Sequence, residues 1–384
     1  MSDIVIDITR IFAARGLGRI PTGVDRVSLE YLRHYGTGAR AMLSAGRFLA
    51  VLPKDLSGSV FQSLLESGVP STTLALRLIG AVLVRCAVTP TLAGTLLLHT
   101  AHMGLDHCPG LRLWRRRGAK PVIFVHDLIP ISHPEYCRPG EKDRHILRMR
   151  NALIGASGII TNSHCTLRSL EEFAKSSELK CPPAVVAPLG NVPFGPPGPR
   201  PVDAPYFVIL GTIEPRKNHW LLLQVWRRIV ERLGSSAPRL VVIGRRGWEC
   251  ENVVDLLERS TPLAGFVIER NDCSDGELAQ FLGHACALLM PSFAEGYGLP
   301  VVEALGLGTP VIASDLQVFR EIAGTMPDYV DPLDAPRWTE LIMEYARRDG
   351  AARATQITRI GGYQAPTWRA HFELVDSFLK GLAA

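Results

Sequence analysis

Glu295 and Glu303 stand eight residues apart in the stretch PSFAEGYGLPVVEALGLGTP at positions 291–310. Gly296 and Gly298 separate the first glutamate from an apolar, helix-forming run. Glycine lets the backbone come close to a bound molecule. The amides of Gly296, Tyr297, Gly298 and Leu299 fall at or just ahead of a helix start, where N–H groups and the helix dipole favour an anion. One glutamate before the helix and one about a turn inside it can face a single pocket, with the anion held between them. A second set is LGTIEPRKN at 210–218, where Arg216 and Lys217 follow another apolar run. A guanidinium grips phosphate oxygens through two donors and an ammonium adds a point charge. Together they suit a diphosphate leaving group in a site without a metal.

A third set is FVHDLIP at 124–130, with His126 and Asp127 at the end of an apolar run. The imidazole can donate to a sugar hydroxyl or to a reacting group, and the carboxylate can accept a proton. Near the start, GLGRIPTGVDR at 16–26 follows a first strand, where glycine-rich loops commonly approach phosphate, and Gly23 is the glycine of interest. Each set has a plain alternative: solvated glutamates beside a loop, a surface Arg–Lys pair, a histidine satisfied by a neighbouring carbonyl. The strand and helix context, and the register of the first two sets, favour chemistry for those two.

The elements that must carry these residues are short Val- and Ile-rich runs alternating with helical patterns, which is the signature of parallel sheets wrapped by helices. The clearest strands are 4–8, 96–99, 122–125, 158–161, 206–210, 240–243, 287–290 and 310–313. Doubly wound sheets bind ligands at the carboxyl ends of their strands. Residues 191–205, NVPFGPPGPRPVDAP, hold proline at six of fifteen positions and form a stiff linker. The expected organisation is a first domain over 1–190, the linker 191–205, a second domain over 206–364 and a terminal segment 365–384, with a cleft between the two domains. At 384 residues two domains are the default.

The segment EGYGLP, with its Glu-x7-Glu spacing, resembles glycosyltransferase family 4, and EPRKN after a strand matches the same family. TNS at 161–163, VVIGRRGW at 241–248 and the run 274–278 extend the similarity from about 122 to 332. The resemblance implies the α/β GT-B fold, two Rossmann-like doubly wound domains facing a central cleft, with the last helix crossing back onto the first domain. It gives Glu295 and the following amides the sugar hydroxyls, Glu303 the ribose hydroxyls, and Arg216 and Lys217 the diphosphate. It puts His126 near the transferred sugar. The family's usual G-G or G-I-G element is replaced here by Thr22-Gly23-Val24 followed by Asp25 and Arg26. The implied reaction is retaining transfer of a hexose, of mannose or glucose type, from a GDP- or UDP-linked sugar to a glycan or lipid-linked acceptor in surface-polysaccharide synthesis. No cofactor beyond this donor substrate is expected. The first 120 residues match loosely, and acceptor recognition usually resides there.

Composition narrows the alternatives. Hydrophobic residues form 47% and charged residues 21% of the chain, which excludes wholesale disorder. A net charge of +5, from 42 Lys and Arg against 37 Asp and Glu, is too slight for a nucleic-acid footprint. Cysteines 86, 108, 137, 165, 181, 250, 273 and 286 include no C-x-x-C pair, and residues 1–9 lack a basic leader, so a cytoplasmic protein with reduced thiols is expected. The apolar run 74–98 is broken by Arg77, Arg85 and Pro90 and reads as a buried helix followed by a strand, not as a membrane span. No D-x-D occurs, and the order of His99, His102, His107 and Cys108 is no standard zinc spacing. Arg112, Arg115, Arg116, Arg117 and Lys120 around Trp114 suggest a solvated helix face or a peripheral contact with anionic lipid. Rival readings are a sugar-nucleotide epimerase or hydrolase, a non-catalytic scaffold of the same fold, and a nicotinamide oxidoreductase. The last is ranked lowest because G-x-G-x-x-G with a following acidic residue is absent.

Overall fold

The computed structural model describes residues 3–18, 21–45, 48–66, 78, 92–106, 109–191, 194–195, 198–347 and 349–383. The chain divides into two compact units. The first comprises Met1–Ile131, Gly140–Leu189 and Trp368–Ala384, and the second Ser132–Pro139 and Gly190–Thr367.

Among the described residues of the first unit, seven strands form one sheet: β1 (Ile4–Asp7), β2 (Arg40–Ala45), β3 (Phe48–Val51), β4 (Leu96–His99), β5 (Lys120–Val125), β6 (Gly158–Thr161) and β7 (Ala184–Val186). Their order is β3-β2-β1-β4-β5-β6-β7, parallel throughout except for the antiparallel β2–β3 pair. The central strands are continuous apolar runs, LLLH in β4 and GIIT in β6, buried along their whole length. That is the pattern required when helices cover both faces of a parallel sheet. Helix Trp368–Ala383 belongs to this unit. It buries His371, Phe372, Val375 and Leu379 along one stripe. Tyr31 Oη bonds His371 Nε2 at 3.0 Å, Tyr35 Oη donates to Asp376 at 2.6 Å, and Phe372 stacks on His34 with ring centres 3.9 Å apart.

The second unit holds β8 (Tyr206–Leu210), β9 (Arg239–Ile243), β10 (Val267–Arg270), β11 (Leu288–Met290), β12 (Val311–Ser314) and β13 (Asp328–Val330). They form an all-parallel sheet in the order β10-β9-β8-β11-β12-β13. Trp226, Trp338 and Tyr345 fill its core. In each sheet the chain starts near the middle, builds to one side and then returns to build on the other. The reversal lies between β1 and β4 in the first unit and between β8 and β11 in the second. At such a point the loops after the two strands leave in opposite directions and open a crevice at the carboxyl ends.

All eight expected strands have counterparts within a residue or two. Of the five that the apolar pattern did not mark, β3, β7, β10 and β13 are sheet edges, and β2 lies next to one. An edge strand is covered less completely, so its sequence alternates weakly and carries charge, as VIER in β10 does. The expected first domain over 1–190 is interrupted, because Ser132–Pro139 packs with the second unit. There Tyr136 stacks on Phe293 at 5.1 Å, and the Arg138 guanidinium lies 5.2 Å over the Trp248 ring. The helix expected within 74–98 falls on residues outside those described, while its following strand is β4. Among the described residues no helix is long and apolar enough to cross a membrane.

Candidate functional site

In the second unit the reversal brings the loop after β8 beside the loop after β11, so two sets of residues far apart in sequence meet. Pro215–Lys217 forms a single 3-10 turn whose C-cap, Asn218, adopts the left-handed conformation and donates to the Pro332 carbonyl at 2.9 Å. The Phe293 amide donates to the Arg216 carbonyl at 2.9 Å and ties the loops together. Across that seam Arg216 Nη1 donates to Glu295 Oε2 at 2.6 Å and to the Ala294 carbonyl at 2.8 Å, while Nη2 donates to Glu214 Oε1 at 2.5 Å. Lys217 Nζ meets Glu295 Oε1 at 2.5 Å, and Ser292 Oγ donates to the same oxygen at 2.7 Å. Lys217 crosses close to Gly211, where φ is +140° and an added Cβ would stand 3.2 Å from the lysine Cε. Glycine is what the left-handed backbone and the passing side chain allow there.

Burial pushes the Glu295 carboxyl up, but Arg216, Lys217 and the hydrogen bonds from Lys217 and Ser292 outweigh it and hold it down at about 2. Glu214 goes the other way: burial raises it, and the two cations only partly offset the rise. Glu214 was not singled out as a site residue by its sequence pattern. It stands two positions before Arg216, and the signal that marks it is burial of a carboxylate against the guanidinium.

Downstream, Gly298 caps helix Leu299–Gly306 with φ +111°, and an added Cβ would stand 2.7 Å from a Phe319 ring carbon. The tight approach fixes where the first turn starts, with Leu299 at its head and Pro300 taking a position that needs no amide donor. Gly296 is half-buried and Tyr297 buried in the loop before it. Glu303 lies about one turn inside the helix and is buried.

In the first unit the ends of β4 and β5 present a different set. His126 is buried, its Nε2 donates to the Thr100 carbonyl at 2.8 Å, and its ring stacks on Phe124. A neutral imidazole donating through Nε2 keeps Nδ1 as its acceptor nitrogen. Asp127 accepts the Ile129 amide at 3.1 Å in a tight turn. The Asp127 carbonyl receives His145 Nε2 at 3.1 Å, and His102 Nε2 accepts the His126 amide at 3.3 Å. The rings of His126 and His145 lie 5.4 Å and 5.1 Å from His102. Burial pulls all three imidazoles below their ordinary value, so they are neutral near pH 7. His145 was not singled out from the sequence because its position within helix Glu141–Gly155 reads as an ordinary inward-facing residue.

Gly23 is exposed at the first position of helix Gly23–Tyr35. Of its neighbours, Asp25 is committed to structure: it caps Thr22 through the backbone and side chain and accepts Arg10 Nε at 2.9 Å. Arg10, at the start of the helix after β1, is a further cation that the sequence patterns did not mark. His99 pairs through Nδ1 with Asp7 at 2.9 Å. Among the described residues no group of three His, Cys, Asp or Glu side chains is placed to hold a metal ion. His107 and Cys108 lie outside the described residues. Trp114, at the centre of the basic stretch read as a solvated face or a lipid contact, is a core residue: it is 4% exposed, with its ring 6.2 Å from His99. Lys120 is likewise engaged, donating to the carbonyls of Leu382 and Ala383.

Residues 196–326 match the profile of the family described as glycosyl transferases, group 1. The chain is 26% identical over 245 residues to the serotype-specific mannosyltransferase WbdA of Escherichia coli, an alignment covering 58% of this chain and 29% of that protein. It is 33% identical over 144 residues to the O-antigen chain mannosyltransferase B of Escherichia coli, covering 38% of this chain and 37% of that one. The chain thus spans about a third of the length of these curated relatives. Among solved structures, Anabaena HepE in complex with UDP and glucose superposes over 99% of this chain and 100% of its own, with a TM-score of 0.70 at 14% identity. A trehalose-phosphate synthase from Burkholderia vietnamiensis superposes over 100% of this chain and 98% of its own, with a TM-score of 0.64 at 12% identity. The fold is GT-B.

Proposed function

We propose that this chain is a glycosyltransferase of family 4 type that moves a hexose from a nucleotide diphosphate sugar onto a glycan or lipid-linked acceptor in surface-polysaccharide synthesis. The observation that carries the proposal is the meeting of Arg216 and Lys217 with Glu295 at the reversal point of the second sheet. Two of the relatives are named as mannosyltransferases, which favours mannose, and the donor is read as GDP- or UDP-linked.

In this reading Arg216 and Lys217 take the diphosphate oxygens, joined by the first turn of helix Leu299–Gly306, and neutralise the charge that develops as the leaving group departs. Glu295 turns to the sugar hydroxyls and Glu303 to the ribose. The bond from the anomeric carbon to the phosphate oxygen breaks while the bond to the acceptor oxygen forms on the same face. The acceptor proton passes to an oxygen of the departing phosphate, which needs no side-chain nucleophile. On the first unit, His126 and Asp127 are assigned to the hexose and the acceptor, with His126 neutral and acting as a hydrogen-bond partner, not as a charge.

Peripheral contact with an anionic membrane is assigned to the first unit as well. Helix Glu141–Gly155 supports it, with Leu147 51% and Ile154 43% exposed. Arg150 is exposed on the same helix, and Arg115 reaches the Ile154 carbonyl at 3.1 Å with Arg116 exposed beside it. Apolar side chains flanked by cations suit a lipid surface.

Calorimetric titration of UDP, GDP, dTDP and NAD without metal, into the wild type and into Glu303→Ala and Lys217→Ala, tests the donor assignment. One nucleoside diphosphate is expected to bind, and each substitution to weaken it by at least about tenfold. Binding of none of them, or of NAD alone, overturns it. Analysis of the products with a glycan acceptor separates transfer from epimerisation and hydrolysis.

A further inference from the structure

We propose that Glu295 is a resident competitor for Arg216 and Lys217, which makes the second unit hold a nucleotide sugar more tightly than the free nucleoside diphosphate. The inference rests on the donor reading above and concerns discrimination between donor and product.

Four ionisable side chains meet where the loops after β8 and β11 touch: Glu214, Glu295, Arg216 and Lys217. Two carboxylates balance two cations. The contacts are not shared evenly, because both oxygens of Glu295 are on cations, Oε2 on Arg216 and Oε1 on Lys217, while Glu214 reaches only Arg216. Among the described residues Glu295 is therefore the carboxylate seen to bridge the two side chains assigned to the diphosphate. Its side chain is 7% exposed, and those of Arg216 and Lys217 are 18% and 10% exposed, so the pairs are largely shielded from water. A shielded carboxylate that loses its cations must find other donors or stand unpaired at a heavy cost.

The two ligands differ at that step. When a nucleotide sugar arrives, its diphosphate draws Arg216 and Lys217, and the sugar hydroxyls offer Glu295 replacement donors. When a free nucleoside diphosphate arrives, the cations are drawn in the same way, but nothing replaces them on Glu295. The carboxylate then faces a diphosphate that carries more negative charge than the esterified one. Re-forming the two ion pairs favours departure of the product. Ser292, donating at 2.7 Å, keeps Glu295 aimed at the seam in either case.

The test is the ratio of two dissociation constants, that of the nucleoside diphosphate over that of the matching nucleotide sugar. Both are measured by calorimetry in the wild type, Glu295→Gln and Glu214→Gln, with thermal melts to check folding. Gln keeps the shape of Glu295 and removes the charge. Glu295→Gln is expected to tighten the free diphosphate by at least about tenfold, to tighten the nucleotide sugar less or not at all, and so to collapse the ratio. Glu214→Gln removes an equal charge from the cluster without freeing Lys217, and is expected to move both ligands together and leave the ratio within about twofold. If Glu295→Gln does not fold, Glu295→Asp, which is too short to bridge both cations, should shift the ratio the same way by a smaller factor. An unchanged ratio in the folded Glu295 variant, or weaker binding of the free diphosphate, overturns the inference while leaving the donor site intact. A wild type that binds neither a nucleoside diphosphate nor a nucleotide sugar sinks the donor reading instead.

Discussion

The two units present their chemistry at equivalent places, the carboxyl ends of strands around the reversal of a parallel sheet, yet fill them with opposite kinds of group. Around β8 and β11 the second unit gathers full charges: Glu214, Arg216, Lys217 and Glu295, each held by another. Around β4 and β5 the first unit gathers neutral imidazoles, His102, His126 and His145, whose partners are backbone carbonyls, a backbone amide and one another's edges. Strand order alone therefore sets where a ligand goes and not what it must be. A charged cluster can take up an anion only by exchanging ion partners. A neutral one can only offer directed hydrogen bonds, which suits hydroxyls.

The contrast has consequences in acid, where the two units lose stability over different ranges. The largest expected effect belongs to Glu295. Its folded value is about 2 against an ordinary 4.5, so the stability it adds is fully present above pH 4.5 and is lost as the pH falls towards 2. The amount is about 3 kcal/mol. Urea unfolding between pH 5 and 3 should show a slope shallower by up to one proton in Glu295→Gln than in the wild type. Equal slopes would mean that the cluster does not hold its charges as the geometry indicates.

A smaller effect is expected from the imidazoles. Their folded values lie below 6.5, so their contribution is complete above that pH and declines as the pH falls below it, because the unfolded chain takes up protons first. His102→Asn keeps an acceptor for the His126 amide and removes one titrating ring. It should lose about 1 kcal/mol less than the wild type between pH 6.5 and 5.5, read from thermal melts. A wild type whose melting temperature is flat across that range would break the comparison.

The smallest effect concerns the surface. Arg115→Gln and Arg116→Gln should each weaken recovery on anionic vesicles at low salt by about 1 kcal/mol, roughly fivefold, with no change on neutral vesicles. A wild type that fails to float with anionic vesicles removes the membrane contact from the first unit.

Much of this molecule is legible in its residues, for identifiable reasons. The central strands of both sheets are buried on two faces and so are written as unbroken apolar runs, which is why β4, β5, β6, β8 and β9 can be read directly. EGYGLP and EPRKN can be read because each combines backbone freedom with charge at a strand end. Edge strands such as β10 and β13 escape, since a half-covered strand has no strong pattern. Residues 132–139 escape because eight residues without a period do not announce which core they join.

What the sequence determined by itself is the inventory: alternating strands and helices, a proline-rich break near the middle, two glutamates around a glycine loop, and a cation pair after a strand. What only the tertiary structure decided is who meets whom. Arg216 and Glu295 are 79 positions apart, and no local preference records that β11 lies beside β8. Glu214 becomes part of the site, and Trp114 leaves the surface, for the same reason. Burial and pairing are properties of the space between elements, and a chain acquires them only when its sheets close around their cores.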